Sequence, residues 1–354
     1  MPVKLYVAAS FSGRPAMRLV AGAERTKATQ TALYKDLPRD YRFTGFELVN
    51  AIENADYVFL PQFVKRVTPA WQAYFDAVRA QAAQHGKEVI LFIGGDLGYR
   101  THIDGAICFV KSTFAHEKRG NEIVCPAYVE DLSEAHVCQP RAKQEKPVVS
   151  FCGYAGFPDI RTRMRYYAKN ALLDVVAAFT LNPLLSVYKR GIYFRRRVIR
   201  TLEKSERVRT NFIVRRSFSG DTATIALDPE AARREYIENM ADSDFVLAPK
   251  GDGNYSARFY EALSLGRIPI LIDTDMVLPL ENVIDYSKFI MRVPHTDIFR
   301  LGDIIADFYD SLTDDEFRAM QQRARDAFAQ HLRYDAYFNF AFPLLKEKGL
   351  KGFA

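Results

Sequence analysis

The run Lys250-Gly251-Asp252-Gly253-Asn254-Tyr255-Ser256-Ala257-Arg258-Phe259-Tyr260-Glu261 collects the residue types that hold an anion. Gly251 and Gly253 leave the backbone free to approach a ligand closely. Ser256 stands where it would cap a helix beginning at Ala257, and the first N–H groups and positive dipole end of such a helix form a diphosphate site. Lys250 and Arg258 add positive charge, and arginine adds a forked donor. Glu261 follows Arg258 by one turn on a similar face, where its carboxylate could accept from two neighbouring ribose hydroxyls. The run is not a Walker A loop, because no Gly-Lys-Ser/Thr closes it. It is not the dinucleotide fingerprint either, because Ser256 occupies the place of the third glycine. A solvated turn with an i,i+3 ion pair would account for the same residues without a ligand.

Two other constellations could do chemistry. Asp273-Thr274-Asp275 is an Asp-x-Asp, a pair able to hold a divalent metal on a diphosphate. It follows a strand late in the chain and reads better as a turn or the edge of a donor site, so no obligatory metal is expected. Residues 188–210 interleave Arg and Lys with Tyr and Phe. Such a patch fits an anionic membrane surface or a lipid-linked acceptor, and equally a solvated helix with snorkelling stems. No nucleic-acid module accompanies it, so no nucleic-acid partner is expected.

These groups need elements to position them. "VKLYVAAS" reads as a first buried strand, followed by a polar turn with Ser10, Ser12 and Arg14. "ADYVFLP" is a strand ended by Pro61. "PAWQAYFDAVRAQAAQHG" is a helix with Trp71, Tyr74, Phe75 and Val78 on one face, and "KEVILFI" is a strand that runs into the loop of Asp96. "AICFVKS" and "EIVCPAY" are further strands. After a polar linker over 137–147 the alternation restarts with "VVSFCGYAG" and continues through "NFIVRRSF", "DFVLAP" and "IPILI", with helices between. Alternating strands and helices predict two parallel α/β sheets, with ligands beyond the C-terminal strand ends. The expected units are 1–140, 147–325 and a helical segment, 326–354, able to pack back on the first.

Bulk properties agree with a folded chain. Of 354 residues 48% are hydrophobic and 26% charged, which argues against disorder. The net charge of +6 tilts toward an anionic partner. Cys108, Cys125, Cys138 and Cys152 fit neither a metal motif nor a disulfide framework, so they are expected to be buried thiols in a reducing compartment. The N-terminus starts directly with a strand, and "ALLDVVAAFTLNPLLSV" is broken by Asp174 and Pro183. A cytoplasmic protein, peripheral on the inner membrane face, is expected.

The segment Ser243-x-Phe245-x-Leu247-x-Pro249-x-Gly251, then Ser256-x-Arg258-x-x-Glu261-Ala262 and Gly266-x-Ile268-Pro269-Ile270-Leu271, resembles the signature of the exostosin-like glycosyltransferases of family 47. Leu280 replaces the usual Phe of the following block. The resemblance is specific over roughly 50 residues and looser upstream, where "ADYVFLP", "KEVILFIGGDLGYR" and "SFCGYAGFPDIRTRM" keep its order. It implies a GT-B fold, two Rossmann-like domains facing across a cleft, and inverting sugar transfer from a nucleoside-diphosphate sugar. UDP-sugars are favoured, with GDP-sugars the alternative, and the acceptor is a glycan or lipid-linked saccharide of a surface polysaccharide or lipopolysaccharide. No cofactor beyond the donor is implied. Lys250, Gly251, Gly253, Ser256, Arg258 and Glu261 would bind the donor, with Gly153, Arg161 and Arg163 after the "CGYAG" turn. Asp96 would be the catalytic base, ahead of Glu47, Asp56, His102 and Asp104. Two other classes explain parts of the chain: a noncatalytic nucleotide-sugar or glycan-binding protein, and a basic membrane-surface scaffold.

Overall fold

The computed structural model describes residues 2–11, 41–136, 138–157, 159–216 and 228–353. Ser12 and Arg14 lie outside them. The first sheet contains β1 (Val3–Val7), β2 (Phe46–Val49), β3 (Tyr57–Val64), β4 (Glu88–Ile93), β5 (Ile107–Val110) and β6 (Glu122–Val124), all parallel, in the order β2-β1-β3-β4-β5-β6. The second contains β7 (Val148–Tyr154), β8 (Arg209–Arg215), β9 (Phe245–Leu247), β10 (Ile268–Asp273) and β11 (Met291–Pro294), also parallel, in the order β11-β10-β9-β7-β8. Read from its own first strand, each sheet has the doubly wound 2-1-3-4-5 order, extended in the first by β6. The strand order reverses between β1 and β3 in one sheet and between β7 and β9 in the other, and such a reversal opens a crevice at the C-terminal strand ends. The fold is therefore α/β with two Rossmann-like sheets, the GT-B arrangement.

Strand β3 departs from expectation. It does not stop at Pro61 but runs on to Val64. Pro61 donates nothing to the ladder, and the pairing with β4 shifts register between Phe59 and Phe63. The irregularity accommodates a proline inside a central strand. Helix α1 (Pro69–Gln84) is capped by Thr68, whose side chain accepts from Trp71 N at 3.2 Å. It lays Trp71, Phe75, Val78 and Ala82 on the sheet, while the Tyr74 hydroxyl donates to the Ala9 carbonyl at 2.6 Å.

The remaining helices are α2 (Ile160–Thr180), α3 (Gly191–Leu202), α4 (Pro229–Ala241), α5 (Ala257–Ser264), α6 (Leu301–Ser311), α7 (Asp314–Ala327) and α8 (Tyr334–Lys348). Helix α8 crosses back to the first sheet. Phe338 meets Phe92 and Phe109 with ring centroids 5.5 Å from each, and Phe342 meets Phe46 at 5.2 Å. The Tyr337 hydroxyl donates to the Val124 carbonyl at 2.7 Å, and Lys346 pairs with Asp56 at 2.7 Å. One apolar cluster thus runs from Val3 and Phe59 through Phe338 to Phe245 and Ile270, binding both sheets into one body. The connection before β7 is strapped down: Arg141 Nε donates to Asp244 at 2.9 Å and Gln144 N to the Tyr309 hydroxyl at 2.6 Å. Cys108, Cys125 and Cys152 are buried, Cys138 is partly so, and all four are free thiols. Burial pushes Cys108 and Cys125 each up to about 12, which makes them poor nucleophiles.

Candidate active site

The C-terminal strand ends of the two sheets meet. The loop after β9 carries Gly253, at which a Cβ would lie 2.4 Å from the Asp96 carbonyl, in the loop after β4. Only glycine fits there. Next to it, Asn254 N donates to Ser112 Oγ at 2.8 Å, and Asn254 Nδ2 donates to the Thr113 carbonyl at 2.9 Å. The Tyr255 hydroxyl donates to Asp96 Oδ1 at 2.6 Å. The structure thus brings Asp96 against the glycine loop of the other sheet. Lys111 adds its ammonium over the Tyr255 ring at 4.8 Å, and burial lowers its pKa against an upward pull from Asp96.

On the other side of the loop sit two arginines. Arg258, in the first turn of α5, donates from Nη2 to the Cys152 carbonyl at 2.7 Å and lies over the Phe151 ring at 4.4 Å. Arg195, from α3, donates to the Tyr154 carbonyl at 3.1 Å. Both therefore grip the last residues of β7, at the strand reversal. Gly153, with φ +154°, makes room: a Cβ there would lie 2.7 Å from Arg258 Nη2. A Cβ on Gly251 would lie 3.9 Å from Arg195 Nη2. The Nε of each arginine is buried with no hydrogen-bond partner. Among the described residues neither arginine pairs with a carboxylate within salt-bridge distance. Burial, with the Arg258 charge next in weight, lowers Arg195 to about 10. Two half-buried guanidinium groups facing one glycine loop, each with a buried donor to spare, form a site suited to an anion.

Glu261 is buried one turn further along α5 and accepts from the Tyr236 hydroxyl at 2.6 Å. Burial raises its pKa above the ordinary value, against opposing pulls from Tyr236 and Arg258. Ser256 occupies the cap of α5 with extended backbone, but its side chain makes no capping bond. The hydroxyl is therefore not committed to the helix end.

Lys250 has a different place from the one its position in the loop suggested. It is buried, its ammonium donates to the Val187 carbonyl, and it lies 5.1 and 5.5 Å from the Phe114 and Phe194 ring centroids. Burial lowers it to about 8. It ties the loop to the segment before α3. Arg161 and Arg163 are exposed on α2, and Arg163 stacks over Tyr167 at 5.9 Å. The weaker base candidates have other partners: Asp56 holds Lys346, Asp104 lies 3.1 Å from Arg119, Glu47 lies 3.9 Å from Lys4, and His102 lies 3.9 Å from Glu122. Asp273 accepts from Arg292 Nε at 2.8 Å and from Met276 N at 3.0 Å. Asp275 sits at φ 62° and accepts from His116 through both ring and backbone, so it latches the two sheets together. The Asp-x-Asp thus serves a turn and a seam. The patch over 188–210 is not one free basic face: α3 buries Ile192, Phe194, Val198, Ile199 and Leu202, and Arg195 shares that buried side.

The sequence reading missed Arg195, Tyr255, Lys111 and His116. Arg195 had a signal. It lies three residues from both Ile192 and Val198, on the apolar stripe of α3, whereas Arg197 faces away. The others carry no mark beyond their place in loops.

Residues 186–308 match the Exostosin GT47 domain. The Exostosin-1 homolog of Caenorhabditis elegans is 29% identical over 104 residues, 29% of this chain and 26% of that protein. The probable glucuronoxylan glucuronosyltransferase IRX7 of Arabidopsis thaliana is 33% identical over 101 residues, 28% of this chain and 22% of that protein. The chain thus spans about a quarter of the length of the curated relatives it matches. Among solved structures, a glycosyltransferase from Rickettsia africae aligns over 83% of this chain and 77% of its own, with 11% identity and a TM-score of 0.39. Anabaena Alr3699/HepE in complex with UDP-glucose aligns over 82% and 78%, with 10% identity and a TM-score of 0.35. Helix α3, the glycine loop and α5 all fall inside the segment that matches the Exostosin GT47 domain.

Proposed function

We propose that the protein is an inverting glycosyltransferase that moves a sugar from a nucleoside-diphosphate sugar to a glycan or lipid-linked acceptor. The observation that carries this reading is the pair of half-buried arginines, Arg195 and Arg258, whose buried Nε atoms are unpartnered beside Gly251 and Gly153. A diphosphate supplies the negative charge this site lacks, and the N-terminus of α5 adds backbone donors. Glu261, one turn after Arg258, accepts from the ribose hydroxyls in this reading. UDP is the favoured nucleotide and GDP the alternative; a curated relative is named a glucuronosyltransferase, and a solved neighbour holds UDP-glucose.

The chemistry is one in-line displacement. The acceptor oxygen attacks the anomeric carbon, the bond from that carbon to the diphosphate oxygen breaks, and the electron pair leaves with the diphosphate. Arg195 and Arg258 stabilise the charge that develops there. The acceptor proton passes to Asp96. Tyr255 donates to Oδ1 of that carboxylate and so fixes its orientation, which leaves Oδ2 to take the proton. Because Tyr255 belongs to the donor loop, donor binding and base alignment are linked through one side chain.

The test is turnover. Purified protein is given a panel of UDP- and GDP-sugars with saccharide acceptors, and nucleoside diphosphate release is measured. One donor is expected to be consumed in an acceptor-dependent way, with Asp96→Asn keeping nucleotide affinity and losing at least ~100-fold in rate. Nucleotide binding without turnover on any acceptor would favour a noncatalytic binding protein. Full activity in Asp96→Asn would remove Asp96 as base.

A further inference from the structure

Helix α2 is amphipathic the wrong way round for a surface helix. Its inward stripe is modest: Tyr166, Asn170, Leu173 and Ala177, with Asn170 donating to the Tyr166 carbonyl at 2.8 Å. Its outward face is apolar. Ile160 is 71% exposed, Met164 67%, Leu172 63% and Phe179 86%, and Leu181 just past its end is 87% exposed. Val175 and Val176 are exposed beside them. A helix packed on a soluble domain ordinarily turns such residues inward.

The charges around this face are of one sign. Arg161, Arg163, Arg165 and Lys169 are exposed along its N-terminal half. Asp174 is the helix's one acidic residue, and it is paired with Lys189. Next to α2, Arg200 of α3 is exposed and bonds the Tyr167 hydroxyl. Phe157, Tyr166 and Tyr167 form a ring cluster at the same end, with Arg196 over Phe157 at 4.8 Å. Apolar side chains bordered by Arg, Lys and Tyr match the layers of a lipid surface, acyl chains beneath and anionic headgroups around. The helix has 21 residues, about 31 Å of length. No described helix is long and apolar enough to cross a membrane. A second copy of the chain would bring the same positive charges and no free acid on this face to meet them.

We propose that α2 docks the protein on an anionic lipid bilayer, lying in the plane of the surface with Leu172, Val175 and Phe179 among the acyl chains and Arg165 and Lys169 at the headgroups. The docking face is α2, not the 188–210 run, whose apolar stripe is buried in the domain. Docking does not depend on the donor reading, and it is measured without nucleotide.

The full chain is floated with vesicles of phosphatidylcholine alone and with vesicles in which about a third of the lipid is phosphatidylglycerol. Flotation is expected with the anionic vesicles and not with the neutral ones. Leu172→Ser/Val175→Ser/Phe179→Ser is expected to reduce the bound fraction at least tenfold, and Arg165→Glu/Lys169→Glu to do the same. Unfolding curves check that each variant is folded. The single Phe179→Ser variant, at an almost fully exposed side chain, repeats the test if the triple variant is not. Absence of flotation with anionic vesicles would overturn the proposal. So would equal flotation of the wild-type and serine variants, or a dimer in sedimentation velocity that Phe179→Ser dissociates.

Discussion

Helices α2 and α3 carry nearly the same basic run, Arg161, Arg163 and Arg165 in one and Arg195, Arg196, Arg197 and Arg200 in the other. Their surroundings separate them. In α3 the run crosses an apolar stripe, so Arg195 is pulled inward against β7 while Arg197 and Arg200 stay in solvent. In α2 nearly every position is exposed, and the arginines border an outward apolar face. Charge alone says little about role; desolvation decides it. A guanidinium that has lost water and found only a carbonyl gains much from an incoming phosphate, while one already in water gains little.

The largest effect that would break this comparison is at the half-buried pair. Arg258→Ala and Arg195→Leu each remove charge-assisted donors worth roughly 3 kcal/mol, so nucleoside-diphosphate affinity should fall about 100-fold by calorimetry. Glu261→Ala comes next: the loss of ribose contacts should weaken a ribonucleotide about tenfold with the fold intact. The α2 arginines should matter least. Arg161→Ala/Arg163→Ala is expected to change nucleotide affinity by less than about threefold, and a loss equal to that of Arg195→Leu would erase the distinction drawn between the helices.

A separate test, of stability and not of affinity, is the pH dependence at Lys250. Its folded pKa, about 8, lies below the ordinary 10.5, so the folded state releases the proton first. The cost of burying the charge is present below pH 8 and is relieved as pH rises from 8 to 10.5. Denaturant titrations should therefore show the wild type gaining stability relative to Lys250→Met across that window. A constant difference would mean that Lys250 is not desolvated.

Much of the architecture was legible because buried parallel strands are continuous apolar runs. "VILFI" and "IPILI" admit few other readings. Strand β2 was not legible, since Phe46–Val49 is a short edge strand with two exposed residues. The glycine loop was legible from Gly251 and Gly253, whose need for close approach is local. Lys250 was misread because adjacency in sequence does not fix side-chain direction, and a flexible stem carries its ammonium to Val187. The Asp-x-Asp read as a turn or a donor edge, but its partners Arg292 and His116 could not be named because they come from other loops. Contacts made only by the tertiary fold leave no trace in spacing.

The central claim is that Arg195 and Arg258 hold a diphosphate. The most direct measurement is isothermal titration of UDP, GDP and uridine into the wild type and Arg195→Leu. The account predicts that one diphosphate binds the wild type, that the variant loses about two orders of magnitude for it, and that uridine binds both proteins equally weakly. A diphosphate that binds the folded variant as tightly as the wild type would contradict it.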